Sequence, residues 1–139
     1  MAVSGVGGVA VPAENTAYGH IVTTSIDVES DVMVEGGTEL AVREYFKDIP
    51  VMIQIARCES HFRHTLADGS VLQGRVDSAD TGVMQINKRY HLGTANKLGL
   101  DITELEDNMA YARHLYEKQG TQPWSASAPC WNGNLALAK

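Results

Sequence analysis

Apolar residues recur at helical intervals in three places along the chain. Val51, Ile55, Cys58 and Phe62 follow a four, three, four spacing, which predicts a buried amphipathic helix over residues 50–62. Pro50 suits its first turn, with Asp48 or Ile49 as the cap. A short helix over 38–47 precedes it, opened by Thr38 as N-cap, with Leu40, Val42, Tyr45 and Phe46 as its apolar contacts. Near the end of the chain, Thr103 with Glu106 reads as a capping box. Leu105, Met109, Ala112 and Tyr116 line one face of the helix it opens, and Lys118, Gly120 and Pro123 mark its close. Between these the pattern changes. Asp68-Gly69 is a two-residue turn signal, with Val71-Leu72 and Val76 to supply strands, so a small β-hairpin should follow the central helix. Apolar spacing resumes in residues 81–87 and predicts a third helix starting near Val83-Met84, and a further short helix over 94–98 lies between Gly93 and Gly99. Residues 122–139 read as a loop-like tail. Residues 1–37 read as a flexible tail or linker in which Ile21 to Val28 could form a strand and Gly36-Gly37 a hinge. The expected fold is α+β and mainly helical, one domain over 38–139 with a hairpin after the central helix.

Charge narrows the partners. The net charge is −6, and no basic cluster exceeds the pair Lys88-Arg89, so neither nucleic acid nor an anionic membrane is expected as a partner. No run of eighteen apolar residues occurs, which excludes a helical membrane span. Met1 to Val11 is apolar but lacks the basic start and leucine-rich core of a secretory signal, so either a signal has been removed or there never was one. The two cysteines, Cys58 and Cys130, are too far apart for paired metal ligation. They are either two buried free thiols or a disulfide closing a loop of 72 residues (130 − 58), and the counts leave both open.

Glu59 is the candidate for chemistry. It sits near the end of the central helix with Ile55 four residues before it, Ala56 three before and Phe62 three after. A carboxyl among apolar neighbours loses hydration when it ionises, so its pKa should rise toward neutral, as a general acid requires. The plain alternative is a helix-end glutamate pointing into water.

The order of features then adds to this reading: a helix ending in Glu59-Ser60, a hairpin, then Asp80-Thr81-Gly82-Val83-Met84-Gln85-Ile86-Asn87. It resembles the lysozyme-like superfamily, and most closely the soluble lytic transglycosylase domains of bacteria. These carry a catalytic Glu-Ser at a helix end, followed by a Gly-Leu-Met-Gln-hydrophobic-Asn signature. Gly82 to Asn87 matches with one conservative change, at Val83, and Asn108-Met109-Ala110-Tyr111 is similar to the stretch opening the later active-site helix. The resemblance runs from about Val42 to Trp131. Cys58 directly before Glu59, with Trp124 and Pro129-Cys130 late in the chain, looks like the resuscitation-promoting factors. That implies a Cys58–Cys130 disulfide and a location outside the cytoplasm, extracellular or in the cell envelope. Asp80 matches the second carboxylate of chicken-type lysozymes. The chain departs from the transglycosylase pattern where Trp124-Ser125-Ala126-Ser127 replaces the usual Tyr-Asn-Ala-Gly, leaving Tyr111, Tyr116 and Trp124 as candidates for the aromatic wall beside Glu59.

The resemblance implies cleavage of the β-1,4 bond between N-acetylmuramic acid and N-acetylglucosamine in peptidoglycan, by a monomer acting on glycan strands without cofactor or metal. Glu59 would be the acid, and Asp80 the second catalytic candidate. With Asp80 within about 5–9 Å of Glu59 a two-carboxylate hydrolysis is open; otherwise Glu59 acts alone as acid and then base, and the muramyl O6 attacks internally. Asp80 could instead form an Asx turn closing the hairpin. The candidate substrate contacts are Ser60, Gly82, Met84, Gln85, Asn87 and Tyr111. Gly82 would admit the sugar close to the backbone, and Gln85 and Asn87 would offer amides. Met84 is expected to pack beneath the cleft, while Ser60 either orients the N-acetyl group or caps its helix. His61, His64 and His91, taken with Asp77, match no metal-ligand spacing and read as surface histidines. Trp124 and Trp131 are read as packing at the domain end rather than stacking on sugars. A catalytically silent lysozyme-like binding module is the rival from another class, and the retained Glu59 argues against it.

Overall fold

The computed structural model describes residues 36–138. Its elements are α1 (36–45), α2 (Pro50–Ser60), β1 (Asp80–Thr81), β2 (Ile86–Asn87), α3 (Lys88–Lys97), α4 (Leu105–Gln119), a 3-10 segment (Gln122–Ser127) and α5 (Ala128–Ala138). The fold is mainly helical, with one small antiparallel sheet in which Asp80 pairs with Asn87 and Thr81 with Ile86. The reading of 1–37 as a tail, with a strand over Ile21 to Val28, lies outside the described residues. At Gly36-Gly37 the backbone is already helical, and Thr38 lies inside the helix rather than capping it.

α2 is the axis of the core. Met52, Ile53, Ile55 and Ala56 are its buried apolar positions, whereas Val51, Cys58 and Phe62 are only partly buried, so the inward face is rotated from the expected one. Pro50 occupies the first turn, but neither Asp48 nor Ile49 caps with a side chain. Asp48 is held elsewhere: Arg113 of α4 grips both its oxygens at 3.0 Å and donates to the Tyr45 carbonyl at 2.7 Å, which ties α1 to α4. The helix stops at Ser60 because His61 and Phe62 both take left-handed backbone angles, φ 54° and 60°. Val42 of α1, Phe46 in the turn after it, Met109, Ala112 and Leu115 of α4, and Trp124 and Trp131 complete the core, while Leu40 faces solvent.

The expected hairpin is reduced to a tight turn. Leu66 N–H donates to the Ser70 carbonyl at 2.7 Å, Asp68 accepts from Ser70, and a single bridge joins Thr65 to Val71. Val76 is fully exposed and pairs with nothing regular. The third helix expected near Val83-Met84 does not form. Residues 82–85 are the turn of the β1–β2 hairpin, with Gly82 at φ 76° and Gln85 at φ 52°, angles an α-helix cannot contain. Their apolar spacing comes from plugging the core with Val83, Met84 and Ile86. α3 begins directly after this turn, capped by the Asn87 side chain on Arg89 N–H at 3.0 Å, and runs through Gly93 to end before Gly99. At α4 the capping box is not made: Thr103 donates instead to Asp101, and Glu104 is the N-cap without a side-chain bond. The tail expected as a loop is the 3-10 segment and α5, which packs along α2.

Candidate active site

The last turn of α2 presents Glu59. Its side chain is half-buried, and Ser127 Oγ donates to its Oε2 at 2.6 Å. Burial pushes the Glu59 pKa up, the Ser127 hydrogen bond draws it partly back, and the negative charge of Asp80 adds to the rise. The carboxyl is therefore not in open water, and among the described residues no cation pairs with it. What places Ser127 there is covalent. Cys58, next to Glu59 in α2, is bonded to Cys130 of α5 at 2.02 Å, which docks the start of α5 on the end of α2.

Across from α2 the β1–β2 hairpin presents Asp80, Gln85 and Asn87. These three, with Tyr90 and His91 of α3, Leu115 and Gln119 of α4, and Pro123 and Trp124, line a cavity of about 300 Å³. Glu59 does not line it, but two of its walls lead there. Asp80 lies close enough to Glu59 for its charge to be felt, and the Trp124 carbonyl is 3.1 Å from the same Ser127 Oγ that reaches Glu59. Asp80 does not form an Asx turn; Asp77 does, accepting from Ala79 N–H at 3.0 Å. Asn87 Nδ2 donates to both Asp77 Oδ2 at 3.0 Å and Asp80 Oδ1 at 2.9 Å, while Arg89 closes on Asp77 at 2.6 Å. Both hydrogens of the Asn87 amide are thus committed to orienting Asp80 and Asp77, and its carbonyl oxygen caps α3. Gln85 donates to the Gly82 carbonyl at 2.9 Å, which leaves its carbonyl oxygen available on the cavity wall.

Several expected substrate contacts turn out to be scaffold. Ser60 is buried and donates to the Ala56 carbonyl at 3.0 Å while accepting from Arg63 N–H at 3.3 Å, so it finishes its helix and cannot orient a ligand. Met84 is fully buried. Tyr111 is 1% exposed, with its hydroxyl 3.0 Å from His91 Nδ1, so it supports the cavity wall from behind rather than facing sugar. Gly82 is required by packing: a Cβ there would come within 2.6 Å of both the Asn108 amide and the His64 ring. No close approach of substrate is needed to explain it.

The buried polar residues behind the hairpin are what the sequence reading missed. His64, expected on the surface, is 4% exposed. Val83 N–H donates to its Nδ1 at 3.0 Å, so Nε2 carries the hydrogen and donates to the Thr103 carbonyl at 2.7 Å; burial lowers its pKa, in the same direction as this tautomer requires. Asn108 accepts from Met84 N–H at 3.0 Å and donates to the carbonyls of Thr81 at 3.0 Å and Ile102 at 2.8 Å. Trp124 Nε1 donates to the Met84 carbonyl at 2.9 Å. The Val83 and Met84 amides and the Met84 carbonyl, which the 82–85 turn would otherwise orphan in the core, are each met by one of these side chains. Trp124 and Trp131 pack as expected, and Trp131 Nε1 also lies 3.1 Å from Ser127 Oγ. Ser127 itself carried a signal that could have found it. It stands three residues before Cys130, so a bond from Cys130 to Cys58 brings it to Glu59.

Among the described residues no group of three or more His, Cys, Asp or Glu could hold a metal ion, and no helix is long and apolar enough to cross a membrane. No family model, no curated protein and no solved structure matches this chain.

Proposed function

We propose that this domain is a peptidoglycan lytic transglycosylase, cleaving the β-1,4 bond between N-acetylmuramic acid and N-acetylglucosamine with Glu59 as acid and then base. One observation carries the reading: Glu59 is a half-buried carboxyl, bonded to a hydroxyl and to no cation among the described residues, with its pKa raised by burial and by the charge of Asp80, which lines a cavity with other polar hairpin residues. The resemblance of Glu59-Ser60 and Gly82 to Asn87 to the soluble lytic transglycosylase pattern points the same way.

In the first step protonated Glu59 gives its proton to the glycosidic oxygen. The C1–O bond breaks, and the N-acetylglucosamine side leaves as an alcohol. Positive charge develops at the muramyl C1 and ring oxygen, and the carboxylates of Glu59 and Asp80 stabilise it. In the second step ionised Glu59 takes the proton of the muramyl O6 hydroxyl as that oxygen bonds C1, which closes a 1,6-anhydro ring and restores the protonated acid. Gln85 contributes an amide oxygen at the cavity wall, and exposed Tyr90 a ring at its rim. Gly82, Met84, Ser60 and Asn87 act by holding this frame. The disulfide suits an oxidising compartment, which fits a monomer working on glycan strands in the cell envelope or outside the cell.

A second reading, two-carboxylate hydrolysis, is favoured by one observation, the charge of Asp80 felt at Glu59. The two are separated by mass spectrometry of muropeptides released from purified sacculi. Products lighter by one water, with anhydro ends, are expected; reducing ends would assign hydrolysis, and no release at all would leave the binding-module reading.

A further inference from the structure

We propose that Ser127 is a positioning residue whose hydroxyl turns between two acceptors as Glu59 loses and regains its proton. The proposal rests on the reading of Glu59 as acid and base. Three distances carry it. Ser127 Oγ is 2.6 Å from Glu59 Oε2, 3.1 Å from the Trp124 carbonyl and 3.1 Å from Trp131 Nε1. The indole N–H can only donate, and its single hydrogen is shared between Ser127 Oγ and the Trp124 carbonyl, each 3.1 Å away, so both oxygens are tied to the same donor. The hydroxyl has one hydrogen and two acceptors within reach. With Glu59 ionised the hydrogen points at the carboxylate, a short charge-assisted bond. With Glu59 protonated through Oε2, the carboxyl O–H donates to Ser127 Oγ and the serine hydrogen swings to the Trp124 carbonyl. Neither state leaves a donor or acceptor of this group unmet, and no heavy atom moves between them. A residue that must serve as acid and then as base within one turnover is thereby held in one place in both forms.

The surroundings make Ser127 the polar partner that matters. Residues 122–138, packed against α2, include no titratable side chain other than the disulfide-bonded Cys130. From the hairpin the charge that reaches Glu59 is Asp80, and the cavity beside Asp80 adds His91 and Tyr90 of α3. On α2 itself, Arg57 lies against the disulfide, 3.6 Å from Cys58 Sγ and 3.8 Å from Cys130 Sγ. The disulfide therefore does more than close a loop. It fixes Cys130, and with it Ser127 and Trp131 on either side, against the residue next to Glu59.

The test is an NMR titration of the Glu59 side-chain carboxyl in the full chain, alongside the rate of sacculus clearing against pH. Ser127→Ala removes the donor to the ionised form, so the Glu59 midpoint should rise by about one pH unit, the size expected for losing a hydrogen bond to a charged group. The alkaline limb of the clearing profile should move up with it. Ser127→Thr keeps the hydroxyl and should restore the wild-type midpoint, which a merely structural role of the serine would not require. Asp80→Asn should move the midpoint the other way, downward, which shows that the probe reports Glu59. An unchanged midpoint in Ser127→Ala, or equal shifts in the Ala and Thr variants, overturns the proposal. A shifted midpoint in a chain that clears no sacculi upholds the hydrogen-bond switch while removing the catalytic reading, so the two failures are told apart.

Discussion

The two sides of the site are built on different physics. On the α2–α5 side a disulfide and an apolar interface do the holding, and the one hydrogen of Ser127 has two acceptors to choose between, Glu59 and the Trp124 carbonyl. On the hairpin side, residues 64–87 are held by a mesh of hydrogen bonds in which His64, Asn108, Trp124, Asn87 and Arg89 are each committed, several to two partners. A group whose bonds are all met is expensive to disturb and poor at exchanging protons. The comparison therefore supports the proposal that the clamped side does the chemistry while the meshed one shapes the cavity. It also explains why most of the residues from Gly82 to Asn87 turn out to be structural, while the proposed chemistry rests on a single glutamate.

Breaking the clamp should cost most. Reducing the Cys58–Cys130 bond, or Cys130→Ser, frees a loop whose ends lie 72 residues apart, and in the chain-entropy model it lowers stability by about 4 kcal/mol. Denaturant melts with and without reductant measure this, and Ser127 should drift from Glu59 before the hairpin loosens. Breaking the mesh comes next. Gly82→Ala drives a Cβ into the Asn108 amide and the His64 ring at a left-handed backbone position, and should cost about 3 kcal/mol from overpacking and backbone strain together. In hydrogen exchange the loss should begin at the amides of Val83 and Met84, which bond to those two side chains.

How far the sequence speaks for itself differs between the two sides. Glu59 was legible because its apolar neighbours are one helical turn away, and local spacing encodes them. The cysteine pair became readable only through the resemblance, since their counts and spacing leave free thiols equally open. The hairpin side was largely misread. Val83, Met84 and Ile86 have helix-like spacing, but the turn is dictated by His64, Asn108 and Trp124, which are 19, 24 and 40 positions away from the backbone groups they bind. No local pattern carries such partners. The capping box at Thr103 failed for a nearby reason, because Asp101 two residues earlier captures the threonine first. α5 escaped notice because its apolar residues do not segregate to one face, and tethering through Cys130 supplies what periodicity would have shown.

The smallest expected effect sharpens the comparison where the two sides meet. Asp80→Asn keeps the shape of the hairpin side chain and removes its charge. With Glu59 acting alone it should slow sacculus clearing by less than about tenfold, below about 1.4 kcal/mol in the barrier. A loss as large as that caused by removing the Glu59 acid would return the reaction to two-carboxylate hydrolysis.

The most direct test of the account is Glu59→Gln, assayed by turbidity loss of purified sacculi. Glutamine keeps the side-chain shape and an oxygen for Ser127, so the fold should hold, and melting should be unchanged or slightly raised because a half-buried acid has been removed. Clearing should fall by at least about a hundredfold, the low end of what a general acid contributes. Clearing at the wild-type rate by a folded Glu59→Gln protein would contradict the assignment of the chemistry to this side chain.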